Sequence, residues 1–412
     1  MRVALLTREY PPEVYGGAGV HVEYLSEHLS GLVDLDVYCF GQRRESPLVK
    51  AAFEPWAAIG SVPSPSARRG GRGEPRTPQP HDAALKTLSV DLLMAAAVEG
   101  ADLVHTHTWY ANFAGHLARL LYDIPHVATT HSLEPHRPWK AEQLGGGYAV
   151  SSFCERTALE AADAVIAVSG AMRDDILGTY PAIDPDRVVV IHNGVDTDEF
   201  VPDHRTDALP ALGIDPDRPS VTFVGRITRQ KGIDLLLSAA ERFDPDIQLV
   251  LLPSAPDTPE VGEEMRARAA ALAERRPGVL WIEQVLPRPQ LVQVLSNSVV
   301  AVCPSVYEPF GLVNVEAMAC ATAVVATDVG GIPEIVVDGE TGILVHLALG
   351  PDGQPADAER FMADLAEAVN GLVADPATAE RMGAMGRKRA VEEFSWPSIA
   401  ARTVELYRTL TH

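Results

Sequence analysis

The chain has 412 residues, 46% of them hydrophobic and 22% charged, and its net charge is -22 at neutral pH. This length and composition predict a globular protein with two domains or more. A surface with this negative charge repels phosphate backbones and anionic lipid. Neither a nucleic acid nor a membrane is therefore expected as a partner. No apolar run is long enough for a membrane span or a signal peptide, which predicts a cytoplasmic protein. The four scattered cysteines are then expected to be buried free thiols.

Short β-branched runs alternate with longer amphipathic stretches, which is typical of parallel sheets covered by helices on both faces. The pattern restarts near Ser220, after a Pro- and Asp-rich stretch at residues 194–220 that is typical of a linker. We therefore predict an α/β protein with two Rossmann-like, doubly wound domains, residues 1–200 and 201–394, facing a cleft where ligands bind. The predicted strands are Arg2–Thr7, Leu35–Phe40, Asp102–Thr106, His126–Thr130, Ala164–Val168, Val188–His192, Ser220–Val224, Ile247–Leu252, Val279–Glu283, Val299–Pro304 and Ala323–Thr327.

Two segments depart from this pattern. Ser61–Pro80 is rich in Pro, Gly and Arg and has almost nothing to bury, so it is predicted to be a disordered loop. An interaction site at its Arg cluster is the alternative. Ser395–His412 is predicted to be a helix that Ser395 caps. Its apolar stripe consists of Trp396, Ile399, Thr403, Leu406 and Leu410.

The first strand is followed by a long, glycine-containing turn and then by a helix. Gly16, Gly17 and Gly19 allow the backbone to approach a ligand closely, and the helix N-terminus offers N–H groups to an anion. A glycine turn before a helix is more often only a turn, so this pattern alone is weak. Its length argues against a simple dinucleotide fingerprint, which is short and begins directly after the strand.

Basic residues follow the first strand of the second domain. Gly225, Arg226 and Lys231 lie at its carboxyl end, so the two cations are expected to face the cleft. An arginine fork and a lysine point charge together suit a diphosphate. A solvated basic loop is the alternative, but a basic cluster at this place in so acidic a chain favours anion binding.

Two glutamates follow the strand Val299–Pro304. Glu308 lies in the loop, and Glu316 lies just over one turn into the predicted helix Leu312–Cys320. The N–H groups at the start of that helix are expected to point at an anion, with Glu308 beside it. Glu316 is placed to accept hydrogen bonds from a ribose, although two glutamates at this spacing are common by chance.

Histidines follow two strands of the first domain, in His105-Thr-His107 and Thr130-His131-Ser132. A metal site at His105 and His107 has no nearby carboxylate to complete it, so structural roles are predicted for them and no metal site is expected. Asp34-Leu-Asp36 has the carboxylate spacing of metal-dependent sugar transferases, but it begins a strand and is predicted to be an ordinary polar strand end.

Together these segments resemble the retaining glycosyltransferases of the GT-B fold, a family that includes glycogen synthase-like enzymes and mannosyltransferases. The resemblance covers nearly the whole chain and rests on the motifs above, with Asn193-Gly-Val-Asp196, Asp328–Glu334 and Asp338–Gly342. Residues 1–25 and Ser132–Tyr148 resemble actinobacterial-type glycogen synthases more closely. That group uses ADP-glucose, and some of its members transfer glucose to glucose 1-phosphate, which makes maltose 1-phosphate.

The resemblance implies a hexosyltransferase that forms α-1,4-glucosidic bonds in glycogen or glucan biosynthesis, with ADP-glucose as donor and no metal or other cofactor. It implies that Arg226 and Lys231 hold the donor diphosphate, that Glu316 binds the ribose and that Glu308 contacts the donor sugar. His131 is implied to lie near the sugar and to act with Glu308, Arg226 and Lys231 in the reaction. The remaining donor contacts that it implies are Gly16, Gly17, Gly19, Gly225, Phe310, Gly311, Leu312 and Val313. It also implies that the helix at 395–412 packs back onto the first domain.

The acceptor is less well defined. This chain has Thr108 where the better-known glycogen synthases carry Asp, and Phe310 where they carry Cys, so the same polymer-elongating geometry is in doubt. Arg137, Lys140 and Tyr148 are assigned to the acceptor, with the two cations as binders of a sugar phosphate. Ordinary surface charge explains the two cations equally well.

Three other functions are weighed against this interpretation. The first is a mannosyl- or other glycosyltransferase of the same fold with a different acceptor, and the second is a nucleotide-sugar epimerase. The third is a non-catalytic regulator that binds a nucleotide sugar, which the intact set of Arg226, Lys231, Glu308 and Glu316 argues against. The choice of ADP, UDP or GDP, the choice of glucose 1-phosphate or glycogen, and a homodimer all stay open.

Overall fold

The computed structural model describes residues 1–14, 16–59, 79–137, 141, 144–350 and 354–411. The chain forms two compact units, Met1–His192 with Trp396–His412, and Asn193–Ser395. The predicted disordered loop Ser61–Pro80 lies outside the described residues except for its last two positions. None of the helices in the described part of the chain is long and apolar enough to span a bilayer.

The first unit is built on a parallel sheet of seven strands in the order β3-β2-β1-β4-β5-β6-β7. The order reverses between β1 and β4, which makes that point the topological switch of the sheet. The strands are β1 (Arg2–Thr7), β2 (Asp34–Phe40), β3 (Val49–Phe53), β4 (Leu103–His107), β5 (His126–Thr130), β6 (Ala164–Ala167) and β7 (Val188–Val190). The helices are α1 (Gly17–Ser30), α2 (Asp82–Ala97), α3 (Trp109–Tyr122), α4 (Gly147–Ala161) and α5 (Gly170–Thr179).

The second unit is built on a parallel sheet of six strands in the order β10-β9-β8-β11-β12-β13, with its switch between β8 and β11. The strands are β8 (Ser220–Ile227), β9 (Gln248–Pro256), β10 (Val279–Trp281), β11 (Val300–Cys303), β12 (Ala323–Thr327) and β13 (Gly342–Val345). The helices are α6 (Ile233–Ala239), α7 (Pro259–Arg275), α8 (Arg288–Ser296), α9 (Leu312–Ala319), α10 (Ile332–Ile335), α11 (Ala358–Ala374) and α12 (Pro376–Glu393).

The C-terminal helix α13 (Trp396–Leu410) belongs to the first unit and packs against α1. Trp396 and Tyr407 are almost fully buried in the same apolar cluster as the strand residues Val3 and Leu5. The buried stripe of α13 contains the predicted Trp396, Ile399 and Thr403, and it continues through Ala400, Val404 and Tyr407. Leu406 and Leu410 flank the stripe and are partly buried against the same cluster.

The prediction of two doubly wound parallel-sheet domains is confirmed, with differences at the sheet edges. Two strands were not predicted, β3 and β13. Both are edge strands: β3 carries the exposed Lys50 among half-buried residues and shows no clear alternation, and β13 has only four residues. β8 and β9 also run further than predicted, to Ile227 and Pro256, because they pair with each other beyond their apolar parts. All four cysteines are buried free thiols, as expected.

Candidate active site

The two loops that carry the predicted donor residues leave neighbouring strands at the switch point of the second unit. Arg226 is part of β8 itself, next to Gly225, and not of the loop after it. Lys231 ends a single 3-10 turn, Arg229–Lys231, whose start is capped by the Thr228 side chain. The second loop leaves β11, which pairs directly with β8. Ligands of doubly wound sheets bind at such a place because two loops diverge there and open a crevice.

The backbone joins these two loops tightly. Gly232 adopts a φ of +62°, and a Cβ at this position would lie 1.9 Å from the carbonyl oxygen of Pro304. The N–H of Val306 donates to the carbonyl of Gln230 at 2.9 Å. Glycine is therefore required at 232 because the chain there needs both a left-handed conformation and the close approach of another backbone.

Lys231 and Glu308 form an ion pair between the two loops. The ammonium nitrogen Nζ donates to Glu308 Oε2 at 2.5 Å, and Ser305 Oγ donates to the same oxygen at 3.0 Å. Burial disfavours the ammonium, but the neighbouring Glu308 carboxylate outweighs this effect and holds the pKa of Lys231 above its ordinary value. The lysine is thus kept charged and oriented at the carboxyl end of the sheet.

Arg226 is oriented by a second ion pair. Its Nη2 donates to Asp257 Oδ1 at 2.6 Å, and both side chains are about one-fifth exposed. Asp257 directly follows β9, so a third strand end contributes to this site. A guanidinium carries five N–H donors in one plane, so the bond to Asp257 fixes the orientation of the whole fork.

Helix α9 begins where the loop that carries Glu308 ends. Gly311 precedes this helix with a φ of +109°, a conformation that favours glycine. The N–H groups at positions Leu312 and Val313 belong to the first turn, where an α-helix provides no internal partner. The ring of Phe310 is buried edge-on against Phe394, so its side chain packs inside the unit and is not exposed to solvent.

The backbone of Glu308 is also fixed by the turn that follows β12. The N–H of Gly331 donates to the Glu308 carbonyl at 2.9 Å. Gly330 has a φ of +56°, and a Cβ there would lie 2.0 Å from that same carbonyl oxygen. The Asp328–Glu334 motif of the sequence is therefore explained by packing, since it fixes the backbone that carries the Glu308 carboxylate.

Glu316 lies on α9, half-buried, where its charge is disfavoured. Burial raises the pKa of its carboxyl to about 7; Arg288 opposes the rise, and Glu199 adds to it. Arg288 itself pairs with Glu199 at 3.4 Å. A carboxyl with a pKa of about 7 changes its protonation state near neutral pH.

In the first unit, the glycine turn leads directly into α1. The N–H of Gly16 donates to the carboxylate of Glu9 at 2.9 Å, so a side chain of the protein takes up the first donor of this helix N-terminus. Gly19 lies against Glu9 and Val14, and a Cβ there would come within 2.9 Å of both side chains. These contacts require glycine for close packing at position 19. Gly17 begins α1.

A cluster of imidazoles lies at the strand ends of the first unit. His107 ends β4, His131 follows β5, and His21 lies on α1. Nδ1 of His107 lies 3.1 Å from Nε2 of His131, and the His21 ring centroid lies 4.7 Å from that of His131. Burial lowers the pKa of His131 to about 4 and lowers the pKa of His107 well below its ordinary value, so both rings are neutral at neutral pH.

His105 has the structural role that was predicted for it. Its ring nitrogens contact Tyr407 Oη at 2.5 Å and Thr129 Oγ1 at 2.7 Å. The C-terminal helix is therefore joined to the centre of the sheet through a buried polar contact. Asp36 pairs with Arg2 and Lys50, in agreement with its interpretation as an ordinary polar strand end.

The residues assigned to the acceptor lie on a segment that is supported by buried polar contacts. Arg137 Nη1 donates to Ser132 Oγ at 3.1 Å, and Tyr148 Oη donates to the Glu134 carbonyl at 2.8 Å. The N–H of Glu134 donates to the Glu155 carboxylate, which also accepts from Tyr180 Oη at 2.6 Å. Lys140 lies outside the described residues.

Several residues of these sites were not predicted from the sequence. Ser305 and Asp257 are ordinary polar residues in the sequence, and their roles depend on strand ends that only the folded sheet brings together. His21 was not singled out in the sequence, where it lies between Val20 and Val22 in the helix after the glycine turn. A buried histidine in an otherwise apolar helix face is the signal that points to it.

Comparison with known proteins identifies the family. Residues 15–199 match the model of Glycosyltransferase Family 4, and residues 204–389 match that of Glycosyl transferases group 1. The chain is 55% identical over 414 residues to an alpha-maltose-1-phosphate synthase of Mycolicibacterium smegmatis, with 100% of both chains covered. It is 56% identical over 411 residues to one of Mycobacterium tuberculosis, with 99% of each covered. A glycogen synthase of Mycobacterium tuberculosis is 28% identical over 437 residues, with 99% of this chain and 94% of that one covered.

Solved structures share the fold. A sucrose-phosphate synthase of Thermosynechococcus elongatus superposes with a TM-score of 0.75 at 28% identity and covers 99% of this chain and 98% of its own. The Anabaena protein HepE, solved with UDP and glucose, gives a TM-score of 0.75 at 19% identity with 100% of both chains covered. The fold and these matches define a hexosyltransferase of the GT-B glycosyltransferase class. The chain belongs to the glycosyltransferase family that contains these alpha-maltose-1-phosphate synthases.

Proposed function

We propose that this protein transfers glucose from ADP-glucose to glucose 1-phosphate with retention of configuration, which makes maltose 1-phosphate for glucan biosynthesis. The observation that carries the proposal is the full-length match, at 55% identity, to a protein named alpha-maltose-1-phosphate synthase. The paired cations at the switch point of the second unit supply the chemistry that this reaction needs.

The donor site is assigned to the second unit. The Lys231 ammonium has three N–H donors, so it can keep its bond to Glu308 and still donate to a phosphate oxygen. Arg226 adds a planar fork held by Asp257, and the first turn of α9 adds backbone donors. The proposed contacts with the diphosphate and the sugar also include the backbone donors at Gly311, Leu312 and Val313. The Glu316 carboxylate is proposed to contact the ribose.

The proposed reaction needs stabilisation of a leaving diphosphate more than it needs a nucleophile. The bond from the sugar C1 to the diphosphate oxygen breaks, the acceptor hydroxyl bonds to C1 on the same face, and the leaving phosphate takes the hydroxyl proton. Lys231 and Arg226 stabilise the charge that develops on the diphosphate as it departs. The Glu308 carboxylate is already held by Lys231 and Ser305, which supports a positioning role and not the covalent role of a glycosidase nucleophile.

No metal ion has a step in this proposal, because fixed cations and N–H groups do what a divalent ion does in metal-dependent transferases. The imidazole of His131 is neutral and partly buried, so it is proposed to donate to or accept from a donor sugar hydroxyl without bringing a charge.

The acceptor is proposed to be a sugar phosphate because of Arg137. Its guanidinium is about one-fifth exposed and is held by Ser132 and by the buried Glu134, so its orientation is fixed before a ligand arrives. Lys140, three residues further along the sequence, is proposed as the second cation. Two of the similar proteins are named for phosphorylated disaccharides, maltose 1-phosphate and sucrose phosphate, which supports an acceptor of this kind.

A second candidate, elongation of an α-glucan, is supported by the match to a glycogen synthase over nearly the whole chain. One experiment separates the candidates. The protein is incubated with ADP-, UDP- and GDP-glucose and GDP-mannose, each with glucose 1-phosphate, with glycogen or without acceptor, and products are identified by mass. We expect ADP-glucose and glucose 1-phosphate to give a disaccharide of two hexoses that carries one phosphate. Transfer to glycogen alone supports the second candidate, and nucleotide release without any transfer product contradicts both.

A further inference from the structure

The imidazole cluster of the first unit has the composition of a metal site. His21, His107 and His131 each offer one ring nitrogen, and these three atoms lie within 4.8 Å of one another. They come from α1, the end of β4 and the residue after β5, so three separate elements converge on one point. Among the described residues, it is the one group of three or more His, Cys, Asp or Glu side chains whose ligand atoms lie this close together.

The distances are close to those of a bound ion. Zinc binds imidazole nitrogen at roughly 2.0–2.1 Å, which places two ligands of a tetrahedral ion about 3.4 Å apart. Nδ1 of His107 and Nε2 of His131 are already 3.1 Å apart. The three ligand nitrogens lie no more than 4.8 Å apart, so an inward shift of at most about 1.4 Å brings the His21 nitrogen to the spacing of a bound ion.

The surroundings hold the rings in place. The His107 ring lies 4.4 Å from the His105 ring, which Tyr407 and Thr129 fix on either side. The His21 ring meets the Trp396 ring edge-on at 5.1 Å. Packing that fixes ligand orientation beforehand lowers the cost of binding an ion. In the contact between His107 and His131, one ring nitrogen carries the proton and the other is unprotonated. The unprotonated nitrogen has a lone pair that a metal ion can bind once that proton has moved away.

We propose that His21, His107 and His131 form a binding site for a transition metal ion of the Zn²⁺ class, and that its occupation inhibits sugar transfer. Three neutral imidazoles select Zn²⁺, Co²⁺, Ni²⁺ or Cu²⁺ over Mg²⁺ and Ca²⁺, which prefer oxygen ligands. His131 is the partly exposed histidine of the three, so an ion from solvent reaches the site at this residue. Binding itself does not depend on the proposed function, whereas inhibition rests on the role proposed there for His131.

The test begins with binding alone. Metal-free protein is titrated with Co²⁺, and the visible absorption of a four- or five-coordinate cobalt site is followed. A saturable band is expected for the wild type and for His28→Gln. His28 is the matched control because it lies on the same helix, outside the cluster, and contacts the Tyr24 carbonyl. His21→Gln is expected to weaken binding by more than the roughly 10–100-fold that loss of an outer-shell partner costs.

The second arm measures activity and ligands. Zn²⁺ is expected to inhibit the wild type and His28→Gln reversibly, with release by a chelator, and to inhibit His21→Gln far less at the same concentration. Mg²⁺ is expected to have no such effect. X-ray absorption of the zinc-loaded wild type should show three imidazoles, and this holds even if His21→Gln fails to fold. Sulfur ligands, fewer than three imidazoles, or equal Co²⁺ binding by folded His21→Gln would overturn the site. Three imidazoles with unimpaired transfer would overturn the inhibition and the role of His131 while leaving the site in place.

Discussion

Lys231 donates to Glu308 across 2.5 Å, and this ion pair joins the loops that leave β8 and β11. The two strands are neighbours in the sheet but are separated by more than 70 residues in the sequence. The pair therefore places a cation and its counter-charge at the switch point before any ligand is present. Preorganised charge of this kind is the main source of transition-state stabilisation in many enzymes, because it needs no reorganisation during the reaction.

Loss of the guanidinium at Arg226 should remove transition-state stabilisation. Arg226→Ala is expected to lower kcat by roughly 10²–10³-fold, which corresponds to about 2.7–4 kcal/mol, because one donor to the developing diphosphate charge is lost. Steady-state kinetics with ADP-glucose measure the effect. Arg205→Ala is the matched control, because Arg205 also pairs with an aspartate, Asp203, but is exposed. Near-normal turnover in Arg226→Ala would rule out the diphosphate assignment.

The elevated pKa of Glu316 predicts a pH dependence of donor binding. Its pKa is about 7 in the free protein, so the carboxylate that accepts ribose hydroxyls forms as pH rises through 7. Donor kcat/KM, which reports groups of the free enzyme, is therefore expected to rise between pH 6 and pH 8. Glu316→Gln should lower kcat/KM and flatten this profile. An unchanged slope in the variant would show that another group titrates.

Glu316 also predicts the sign of a stability change. Because its folded pKa is raised above the ordinary value of 4.5, the protonated form is favoured in the folded state. Its contribution to the free energy of unfolding is then fully present below about pH 4.5 and is lost as pH rises through 7. Urea unfolding at pH 5 and pH 8 should therefore show a smaller loss of stability in Glu316→Gln than in the wild type. A larger loss in the variant would contradict the sign.

Arg137 should distinguish the two acceptors. Arg137→Gln is expected to raise the KM for glucose 1-phosphate by about 10-fold or more, because a charge-assisted bond to phosphate is worth roughly 1.5–3 kcal/mol. The KM for the donor should not change. Tyr180→Phe, which removes a bond to the Glu155 carboxylate that supports this segment, should have a smaller effect in the same direction. Equal effects of Arg137→Gln on glucose 1-phosphate and glycogen would argue against phosphate recognition.

Gly232 tests the coupling of the two loops. Gly232→Ala places a methyl group against the Pro304 carbonyl and forces a non-glycine residue to a φ of +62°, which costs about 1–3 kcal/mol for the backbone alone. Both stability and kcat are expected to fall, because the Lys231 loop must move away from Glu308. Gly371→Ala is the control, since a Cβ there meets nothing within 4 Å on an exposed face of α11. That variant should gain up to about 1 kcal/mol.

The sequence predicted the sheets well because buried parallel strands are apolar along their whole length. β1, β5 and β12 have the predicted bounds, whereas the edge strand β3 is interrupted by the exposed Lys50 and the edge strand β13 has only four residues. The positions of Lys231 and Glu308 at strand ends could also be predicted. Their pairing could not, because it depends on the strand order, and neither could the occupation of the Gly16 N–H by Glu9. Such contacts are set by long-range packing, which local patterns do not record.

The proposed reaction is transfer of glucose with retention from ADP-glucose to glucose 1-phosphate, with Lys231 at the donor site. The most direct measurement is NMR of the product formed from these two substrates, with Lys231→Ala assayed in parallel. We predict one new α-linked glucosyl unit on the acceptor for each ADP released, and a loss of at least about 10²-fold in rate in the variant. A β-linked product, ADP release that does not depend on the acceptor, or undiminished transfer by Lys231→Ala would contradict it.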